Sequence, residues 1–356
     1  MKSIFRLSYA TGLTGRDALK DYQLNEMRAL VTGGGGFLGH YIVEQLLARA
    51  DEVTVFARGY YPEIERIGAR LVRGNVGNAV EIKAACANMD VVFHVAARAG
   101  FWGSWDSFYQ ANVAGTKHVV EACRAQGVAK LIYTSSPSVV FNNEPHEGAD
   151  ESLPYPTHFE NFYSHTKAMA ERLVLEANGP ELLTVSLRPH LIWGPRDTQI
   201  LPRIIARARA GKIFQVGDGT NKVDLTYVED AARAHLLAAD ALQSGSAVAG
   251  SVYFISQNEP VALWPWLNNL LARLNLPPVK RRISLPVARA IGTLLEVTYR
   301  TARLKGEPRL TRFLASELAM SHYYDISRAR RDFGYQPSFS MAEALEKTIA
   351  YLNRSK

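Results

Sequence analysis

The feature that most constrains the fold is a run of glycines directly after a short apolar segment. The segment Arg28 to Thr32 reads as a strand, and four consecutive glycines follow it, with a fifth at Gly39. Glycines in this arrangement allow a tight turn, close approach of the backbone to a pyrophosphate, and close packing of the next helix on the strand. The N-terminus of that helix attracts negative charge. The run therefore predicts a phosphate-binding turn, with a flexible turn as the alternative, and the predicted contacts are Gly33, Gly36, Phe37, Leu38 and Gly39.

Short apolar runs alternate with longer helix-like segments after this turn. The order is typical of βαβ units around a parallel sheet, so we predict an α/β Rossmann fold with a doubly wound parallel sheet. Ligands on such sheets bind beyond the carboxyl ends of the strands. The predicted strands are 28–32, 52–57, 70–73, 90–95, 130–135 and 183–188, and the predicted helices include 37–49, 79–87, 107–126 and 160–178.

The strict alternation ends near residue 190, where prolines begin to interrupt the helical segments. We therefore predict a dinucleotide-binding Rossmann domain over 27–190, with returning segments around 223–256. A smaller C-terminal substrate-binding lobe would comprise 191–222 and 257–356. Residues 1–26 lack the apolar core and cleavage site of a secretory signal, so they are predicted to be a disordered leader or the product of an upstream start codon.

Composition argues against several classes of protein. The apolar stretch 283–299 is interrupted by Pro286, Arg289 and Glu296, so no integral membrane segment is expected. The net charge of +7 is dispersed, without a basic run interleaved with aromatics, which argues against nucleic-acid binding. The chain has two cysteines, both in apolar helix-like segments, which favours a reducing cytoplasm. No metal site is predicted.

The end of the second predicted strand bears on the choice of cofactor. An acidic residue about 20 positions beyond the glycine turn would hydrogen-bond the ribose 2′-hydroxyl of NAD. Ala57 and Arg58 stand there instead. Because a guanidinium with no carboxylate beside it suits the 2′-phosphate of NADP, we predict NADP(H), with a solvent-exposed surface arginine as the alternative.

A tyrosine and a lysine four residues apart, Tyr163 and Lys167, fall on one face of a predicted helix. The ammonium would lower the pKa of the phenol toward the working pH and make Tyr163 a usable general acid and base. Ser136 follows the fifth predicted strand, where its hydroxyl would polarise a substrate carbonyl. Such pairs also arise on exposed helices, and serines also cap turns, so the setting of these residues decides between the readings.

Several motifs together resemble the extended short-chain dehydrogenase/reductase family over nearly all of residues 27–353. The motifs are the Thr32 to Gly39 turn, His94-Val95-Ala96-Ala97, Asn112-Val113-Ala114-Gly115-Thr116, Tyr133-Thr134-Ser135-Ser136, Tyr163 to Lys167 and Arg188-Pro189. The resemblance implies an oxidoreductase with Ser136, Tyr163 and Lys167 as the catalytic residues and Asn112 in support. It also implies cofactor contacts from Tyr163, Lys167, Asn75, Val76, Ala96, Ala97, Pro189, Leu191 and Ile192. Many relatives have aspartate where this chain has Asn75, but the asparagine oxygen can still accept a hydrogen bond from adenine.

Within that family the chain is most similar to the 3β-hydroxysteroid and sterol-4-carboxylate 3-dehydrogenase branch, through Gly217 to Asp224, Tyr227 to Asp230 and His322 to Tyr324. The tract Arg98 to Trp105 resembles the bacterial 2-alkyl-3-oxoalkanoate reductases of long-chain olefin biosynthesis. This resemblance implies NADPH-dependent reduction of a 2-alkyl-3-oxoalkanoic acid to the 3-hydroxy acid. It also implies a homodimer through the helices around 107–126 and 160–178, and other olefin-pathway enzymes as partners. The alternatives are a sterol dehydrogenase, a nucleotide-sugar epimerase, or an NADP-binding sensor or scaffold without chemistry.

Aromatic residues supply candidates for the walls of an apolar substrate cleft. The candidates are Phe101, Trp102, Trp105 and Trp193 together with the apolar stretch 284–298, with a position in the core as the alternative for each aromatic. His190 and Arg196 are placed where they would meet a substrate carboxylate, with a purely structural histidine as the other interpretation. The sequence thus predicts a small lipid-like substrate.

Overall fold

The computed structural model describes residues 27–354. The strands are β1 Arg28–Thr32, β2 Glu52–Ala57, β3 Arg70–Arg73, β4 Val91–His94, β5 Lys130–Thr134, β6 His146–Ala149, β7 Leu183–Pro189, β8 Ile192–Trp193, β9 Gln215–Val216, β10 Lys222–Val223, β11 Thr226–Tyr227, β12 Ser251–Ile255, β13 Val261–Ala262, β14 Arg282–Ile283 and β15 His322–Tyr324. The α-helices are α1 Phe37–Ala48, α2 Pro62–Arg66, α3 Ala79–Ala85, α4 Trp105–Phe108, α5 Gly115–Gln126, α6 Phe162–Glu176, α7 Ile200–Arg209, α8 Val228–Ala241, α9 Leu263–Arg273, α10 Leu285–Thr301, α11 Arg312–Ala319, α12 Ser327–Phe333 and α13 Met341–Arg354. A π-helical turn spans Tyr109–Ala114, and a 3-10 turn spans Pro137–Val139.

Seven strands form one parallel sheet in the order β12, β7, β5, β4, β1, β2, β3. The first strand, β1, lies in the interior of the sheet. The next two strands, β2 and β3, follow on one side of it, and β4 then lies on its other side. This reversal makes the sheet doubly wound and confirms the predicted Rossmann class. All six predicted strands are present within one residue at each end, and β12 is a seventh that the sequence reading placed only within a returning segment.

The central strands are apolar on both faces because helices cover the sheet on both sides. In β1, Ala29, Leu30 and Val31 are all fully buried, and their side chains divide between two hydrophobic clusters. The buried cysteines Cys86 and Cys123 belong to one of these clusters and form no disulfide. Alternate residues of a strand point to opposite faces, so such a strand contributes to two cores at once.

The single helix predicted over 107–126 is interrupted. It comprises α4, the π-helical turn and α5 in direct succession. A π turn inserts one extra residue per turn and is found frequently at functional sites. The buried Asn112 lies within this turn, so the interruption changes where its side chain points.

A third hydrophobic cluster is built entirely from residues after 190, among them Trp193, Trp264 and Leu345. The short sheet β13, β10, β15, β6 lies outside the main sheet. The proposed boundaries between the two domains stay a prediction. The predicted leader, residues 1–26, lies outside the described residues.

The most apolar stretch of the sequence forms most of α10. Within residues 27–354, no helix has both the length and the apolar character needed to cross a membrane.

Candidate active site

A cavity of about 750 Å³ opens where the parallel strands end. Ala57, Thr134 and Pro189, the last residues of β2, β5 and β7, all line it. The cavity brings together nearly every residue that the sequence analysis singled out. Those that line it are Gly33, Gly36, Phe37, Leu38, Gly39, Arg58, Asn75, Val76, Ala96, Ala97, Phe101, Trp102, Ser136, Tyr163, Lys167, Pro189, His190, Leu191, Ile192 and Trp193.

The glycine turn forms one end of this cavity. Gly33 has a φ of 71°, and its N–H donates to the carbonyl oxygen of Phe56 at 2.8 Å. A Cβ at Gly39 would collide with the carbonyl oxygen of Gly33, so the close approach of α1 to the turn requires glycine there. The N-terminus of α1 follows directly at Phe37. The glycine turn has no side chains and lies in front of the N-terminus of a helix, so it can accommodate a dinucleotide pyrophosphate.

Arg58 and Asn75 lie beyond the ends of the neighbouring strands β2 and β3. Arg58 is exposed, and the described part of the chain gives it no ion-pair or hydrogen-bond partner. The Oδ1 of Asn75 accepts a hydrogen bond from the N–H of Gly77 at 3.0 Å. An amide oxygen has two lone pairs, so Asn75 retains the capacity to accept one further hydrogen bond.

Tyr163 stands in the first turn of α6, which Asn161 caps by accepting a hydrogen bond from the N–H of Ser164 at 2.7 Å. The rings of Phe101 and Phe108 each pack edge-on against Tyr163, with centroids 6.5 Å away. Burial raises the pKa of the Tyr163 phenol, and a hydrogen bond with Ser136 partly offsets that rise. Tyr163 therefore carries its proton at neutral pH and can donate it.

Lys167 lies on the same helix and is fully buried. Its Nζ donates to the carbonyl oxygen of Thr134 at 2.6 Å and stands 4.1 Å from the ring centroid of Tyr133. Burial lowers the pKa of Lys167 to about 7, and the charge of Glu171 opposes this change. We expected this ammonium to lower the pKa of Tyr163. Lys167 donates toward the end of β5, and the group that lowers the phenol pKa in this arrangement is Ser136, so an effect of Lys167 on the pKa of Tyr163 stays a prediction.

A buried ion pair stands behind Lys167. Glu171 accepts a hydrogen bond from Arg188 at 2.6 Å, and both side chains are almost completely buried. Ser186 and Tyr155 donate further hydrogen bonds to the same carboxylate. Burial raises the pKa of Glu171, but the charge and hydrogen bonds of Arg188 outweigh it, and the net pKa lies below the usual value. Glu171 therefore remains a carboxylate and favours the charged form of Lys167.

Asn112 does not line the cavity but lies directly behind its wall. Its Oδ1 accepts from the N–H of Arg98 at 2.7 Å, and its Nδ2 donates to the carbonyl oxygen of Arg98 at 3.2 Å. The same Nδ2 lies 3.1 Å from the hydroxyl oxygen of Thr166, the neighbour of Lys167 in the chain. Asn112 thus links the cavity wall to α6, and its predicted supporting role in catalysis stays a prediction.

The remaining walls of the cavity are largely apolar. Phe101 packs on Phe313 with centroids 5.0 Å apart, and Trp102 packs edge-on against Tyr299 at 6.2 Å. Further apolar side chains line the same space, namely Ile204, Ile213, Phe214, Leu263, Leu314 and Leu318. Such walls suit an alkyl or ring-shaped hydrocarbon group.

Two residues expected to bind a substrate carboxylate form hydrogen bonds with other protein side chains. Arg196 forms two hydrogen bonds to Glu44, at 2.6 and 2.8 Å, and is not among the residues that line the cavity. His190 lines the cavity, but its Nε2 lies 2.6 Å from the Nδ1 of His322, and burial holds its pKa well below the usual value. The prediction for Arg196 was therefore wrong, because Glu44, 152 residues away in sequence, neutralises it. His190 is uncharged here and can offer a substrate only a hydrogen bond.

Of the two other aromatics predicted to form the cleft, Trp105 is not among the residues that line the cavity, and Trp193 borders the cavity from the core. Only 1% of it is exposed, and it packs edge-on against Trp266 with centroids 5.0 Å apart. Its predicted contact with substrate stays a prediction.

The chain is similar to known proteins over most of its length. The family model of the 3-beta hydroxysteroid dehydrogenase/isomerase family matches residues 30–287. The chain belongs to that family. Its members are oxidoreductases of the short-chain dehydrogenase/reductase type, and so is this chain.

Individual relatives agree with the family assignment. This family member is 49% identical to the 2-alkyl-3-oxoalkanoate reductase of Stenotrophomonas maltophilia, over 91% of this chain and 99% of that protein. It is 37% identical to the sterol-4-alpha-carboxylate 3-dehydrogenase, decarboxylating, of Mus musculus, over 90% of each chain. Among solved structures, MoeE5 in complex with UDP-glucose and NAD is 27% identical, with a TM-score of 0.71 over 92% of this chain and 99% of that one. The fold is therefore that of nicotinamide-dinucleotide enzymes.

Some residues at the site were not anticipated from the sequence. Thr134 holds Lys167 through a backbone carbonyl, which no side-chain pattern could signal. Phe313 and Glu317 line the cavity from α11, far along the chain, and burial raises the pKa of the Glu317 carboxyl against the opposing charge of His322. No local motif marks α11 as part of the site, whereas His94 belonged to a recognised motif but received no role.

Proposed function

We propose that this chain reduces the 3-keto group of a 2-alkyl-3-oxoalkanoic acid to the 3-hydroxy acid with NADPH. The observation that carries the proposal is the 49% identity, over nearly the full length of both chains, to a bacterial protein named for this reaction. The apolar cavity beside Ser136 and Tyr163 supports it, because a substrate with two alkyl chains needs apolar walls. In its source organism the product would enter long-chain olefin biosynthesis.

Tyr163 and Ser136 have complementary roles in this proposal. NADPH, when bound, supplies a hydride to the carbonyl carbon. The Tyr163 phenol, kept protonated by burial, donates its proton to the carbonyl oxygen. The Ser136 hydroxyl donates a hydrogen bond to the same oxygen as negative charge develops there. Lys167 would place its positive charge at the end of β5, two residues before Ser136.

The cofactor is proposed to be NADP(H). The pyrophosphate would lie against Gly33, Gly36 and the N-terminus of α1, where no side chain obstructs it. The exposed guanidinium of Arg58 would bind the 2′-phosphate, since it lines the cavity and no carboxylate of the described chain pairs with it. Asn75 would accept a hydrogen bond from adenine.

We further propose that the protein is a cytoplasmic homodimer. The helices predicted to form the interface present exposed aromatics, since Trp105 and Phe162 are each more than one third exposed and pack edge-on, with centroids 5.6 Å apart. An exposed aromatic pair of this kind is typical of an interface. Other enzymes of the olefin pathway would be further partners.

A sterol-4-carboxylate 3-dehydrogenase is the second candidate, favoured by the 37% identity to the mouse enzyme of that name. In both substrates the carboxylate is attached to the carbon adjacent to the one that bears the reacting oxygen, so the same catalytic residues would serve either one.

One experiment separates the two candidates. The reverse reaction is followed by NADPH formation from NADP and a synthetic long-chain 2-alkyl-3-hydroxy acid, because the 3-oxo acid decarboxylates readily. Stereoselective turnover far exceeding that with NAD, or with a 3β-hydroxysteroid, would support the proposed function. Turnover of the steroid alone would favour the sterol dehydrogenase reaction instead. The proposed roles of the catalytic residues would then be unchanged.

A further inference from the structure

A continuous chain of buried hydrogen bonds passes through His94, the last residue of β4. Its Nδ1 lies 2.7 Å from the hydroxyl oxygen of Thr32, and its Nε2 lies 3.0 Å from the hydroxyl oxygen of Thr116. All three side chains are completely or almost completely buried. Thr32 immediately precedes the glycine turn, and Thr116 stands at the start of α5, just after the π turn.

The partners at the two ends fix the direction of every hydrogen bond. The Thr116 hydroxyl donates its single proton to the carbonyl oxygen of Asn112 at 2.6 Å. It must therefore accept the N–H of His94 Nε2, which leaves Nδ1 as an acceptor for the Thr32 hydroxyl. The Thr32 oxygen in turn accepts the N–H of Ala96 at 3.2 Å. Burial, helped by the charge of Lys167, lowers the pKa of His94 to about 3, so the ring is neutral.

The two ends of this series of hydrogen bonds hold the same segment of the cavity wall. Ala96 lies directly against the glycine turn, since a Cβ at Gly33 would come within 2.9 Å of its backbone. Asn112, at the other end, binds both the N–H and the carbonyl of Arg98. The segment Ala96 to Arg98 is thus fixed at one end by Thr32 and at the other by Asn112, and His94 joins the two.

We propose that His94 is a positioning residue whose two ring nitrogens act separately, Nδ1 on the dinucleotide wall at Ala96 and Nε2 on the catalytic side through Thr116 and Asn112. The proposal rests on the proposed reductase function for its catalytic readout. The chemistry needed is that of a neutral ring that accepts at one nitrogen and donates at the other.

Two substitutions separate the two halves of the ring. His94→Asn keeps an acceptor oxygen near the position of Nδ1 and loses the donor to Thr116. His94→Gln keeps a donor nitrogen near the position of Nε2 and loses the acceptor for Thr32. We expect His94→Asn to lower kcat roughly tenfold with little change in dinucleotide affinity, and His94→Gln to weaken dinucleotide binding roughly tenfold with a smaller effect on kcat.

A pair of variants at Thr116 tests the catalytic half without altering the histidine. Thr116→Val keeps the shape and removes the hydroxyl, so it should reproduce the kcat loss of His94→Asn. Thr116→Ser retains the hydroxyl and should restore most of kcat. Urea unfolding of each variant identifies any that fold poorly, and the Thr116 pair remains decisive should either histidine variant prove unstable.

The readouts distinguish failure of this proposal from failure of the proposed function. Binding of NADPH, followed by its fluorescence, needs no substrate. Nitrogen-15 spectra of the imidazoles at neutral pH should contain a neutral ring protonated at Nε2 that disappears in His94→Gln. Equal effects of the two histidine variants on kcat and on affinity, or equal kcat in the two Thr116 variants, would overturn the proposal. Absence of turnover in the unaltered protein would count against the proposed substrate only.

Discussion

Lys167 Nζ donates a hydrogen bond of 2.6 Å to the carbonyl oxygen of Thr134, and this bond joins α6 to the carboxyl end of β5. The two residues are 33 positions apart in sequence. The bond brings Tyr163, one helical turn before Lys167, to the edge of the sheet that carries Ser136. The contact of Lys167 with Thr134 therefore affects the positions of Tyr163, the proposed acid, and of Ser136, the proposed hydrogen-bond donor.

The charge of Lys167 should control the pH dependence of reduction. Burial lowers its pKa to about 7, so the ammonium loses its proton as the pH rises through about 7, and an ordinary lysine would remain charged there. We expect kcat for reduction to fall across that range. Lys167→Arg keeps the charge at all these pH values, so its lower rate should show no such decline. A decline that persists unchanged in Lys167→Arg would contradict the assignment.

Replacing the Tyr163 hydroxyl should remove the proton donor and little else. We expect Tyr163→Phe to lower kcat by roughly 10²- to 10⁴-fold, because that is the usual contribution of a general acid. NADPH affinity, measured by fluorescence, should change by less than about threefold, since a phenyl ring preserves the packing with Phe101 and Phe108. Tyr351→Phe on α13 is the matched control. A near-normal rate in Tyr163→Phe would exclude the proposed mechanism.

Arg58 should discriminate NADPH from NADH. We expect Arg58→Ala to raise KM for NADPH roughly tenfold or more, and to leave KM for NADH nearly unchanged, because only NADPH has the 2′-phosphate. Steady-state kinetics with both cofactors measure this. Arg66→Ala, an exposed arginine of the nearby helix α2 that does not line the cavity, should affect neither. Equal effects of Arg58→Ala on both cofactors would show that Arg58 does not contact the phosphate.

The buried ion pair of Glu171 and Arg188 should contribute strongly to stability. Glu171→Gln leaves the Arg188 charge buried without its counter-ion, so we expect the free energy of unfolding to fall by about 3–5 kcal/mol. Urea denaturation measures the loss. Glu121→Gln is the control, because the pair of Lys117 and Glu121 is exposed and should contribute less than about 1 kcal/mol. Similar losses in the two variants would mean that burial of the pair has little effect.

The proposed dimer depends on the exposed aromatic pair of α4 and α6. Trp105→Glu places a charge in that contact and should convert the dimer to a monomer, as measured by light scattering after gel filtration. Leu294→Glu changes a residue of α10 that is 67% exposed and should leave the dimer intact. A monomeric wild-type protein would refute the dimer, and a dimeric Trp105→Glu would place its interface elsewhere.

The sequence by itself determined the Rossmann class, six of the seven strands of the main sheet, and the glycine turn. These features depend on local order along the chain, namely short continuous apolar runs, turn residues and the starts of helices. Tyr163 and Lys167 were also visible, because residues four apart on a helix share a face whatever the helix packs against. The π turn at Asn112 was not, since a single extra residue in a helix has no distinct pattern.

Only the tertiary structure decided which of the candidate charges were free. Glu44 pairs with Arg196, and His322 with His190, across 152 and 132 residues of sequence. Tertiary packing also places α11 in the cavity wall, and it positions the Nζ of Lys167 to donate to Thr134 rather than to Tyr163. The physical reason is that burial and long-range pairing set the charge and the direction of a side chain, and both depend on residues that come together only when the chain folds.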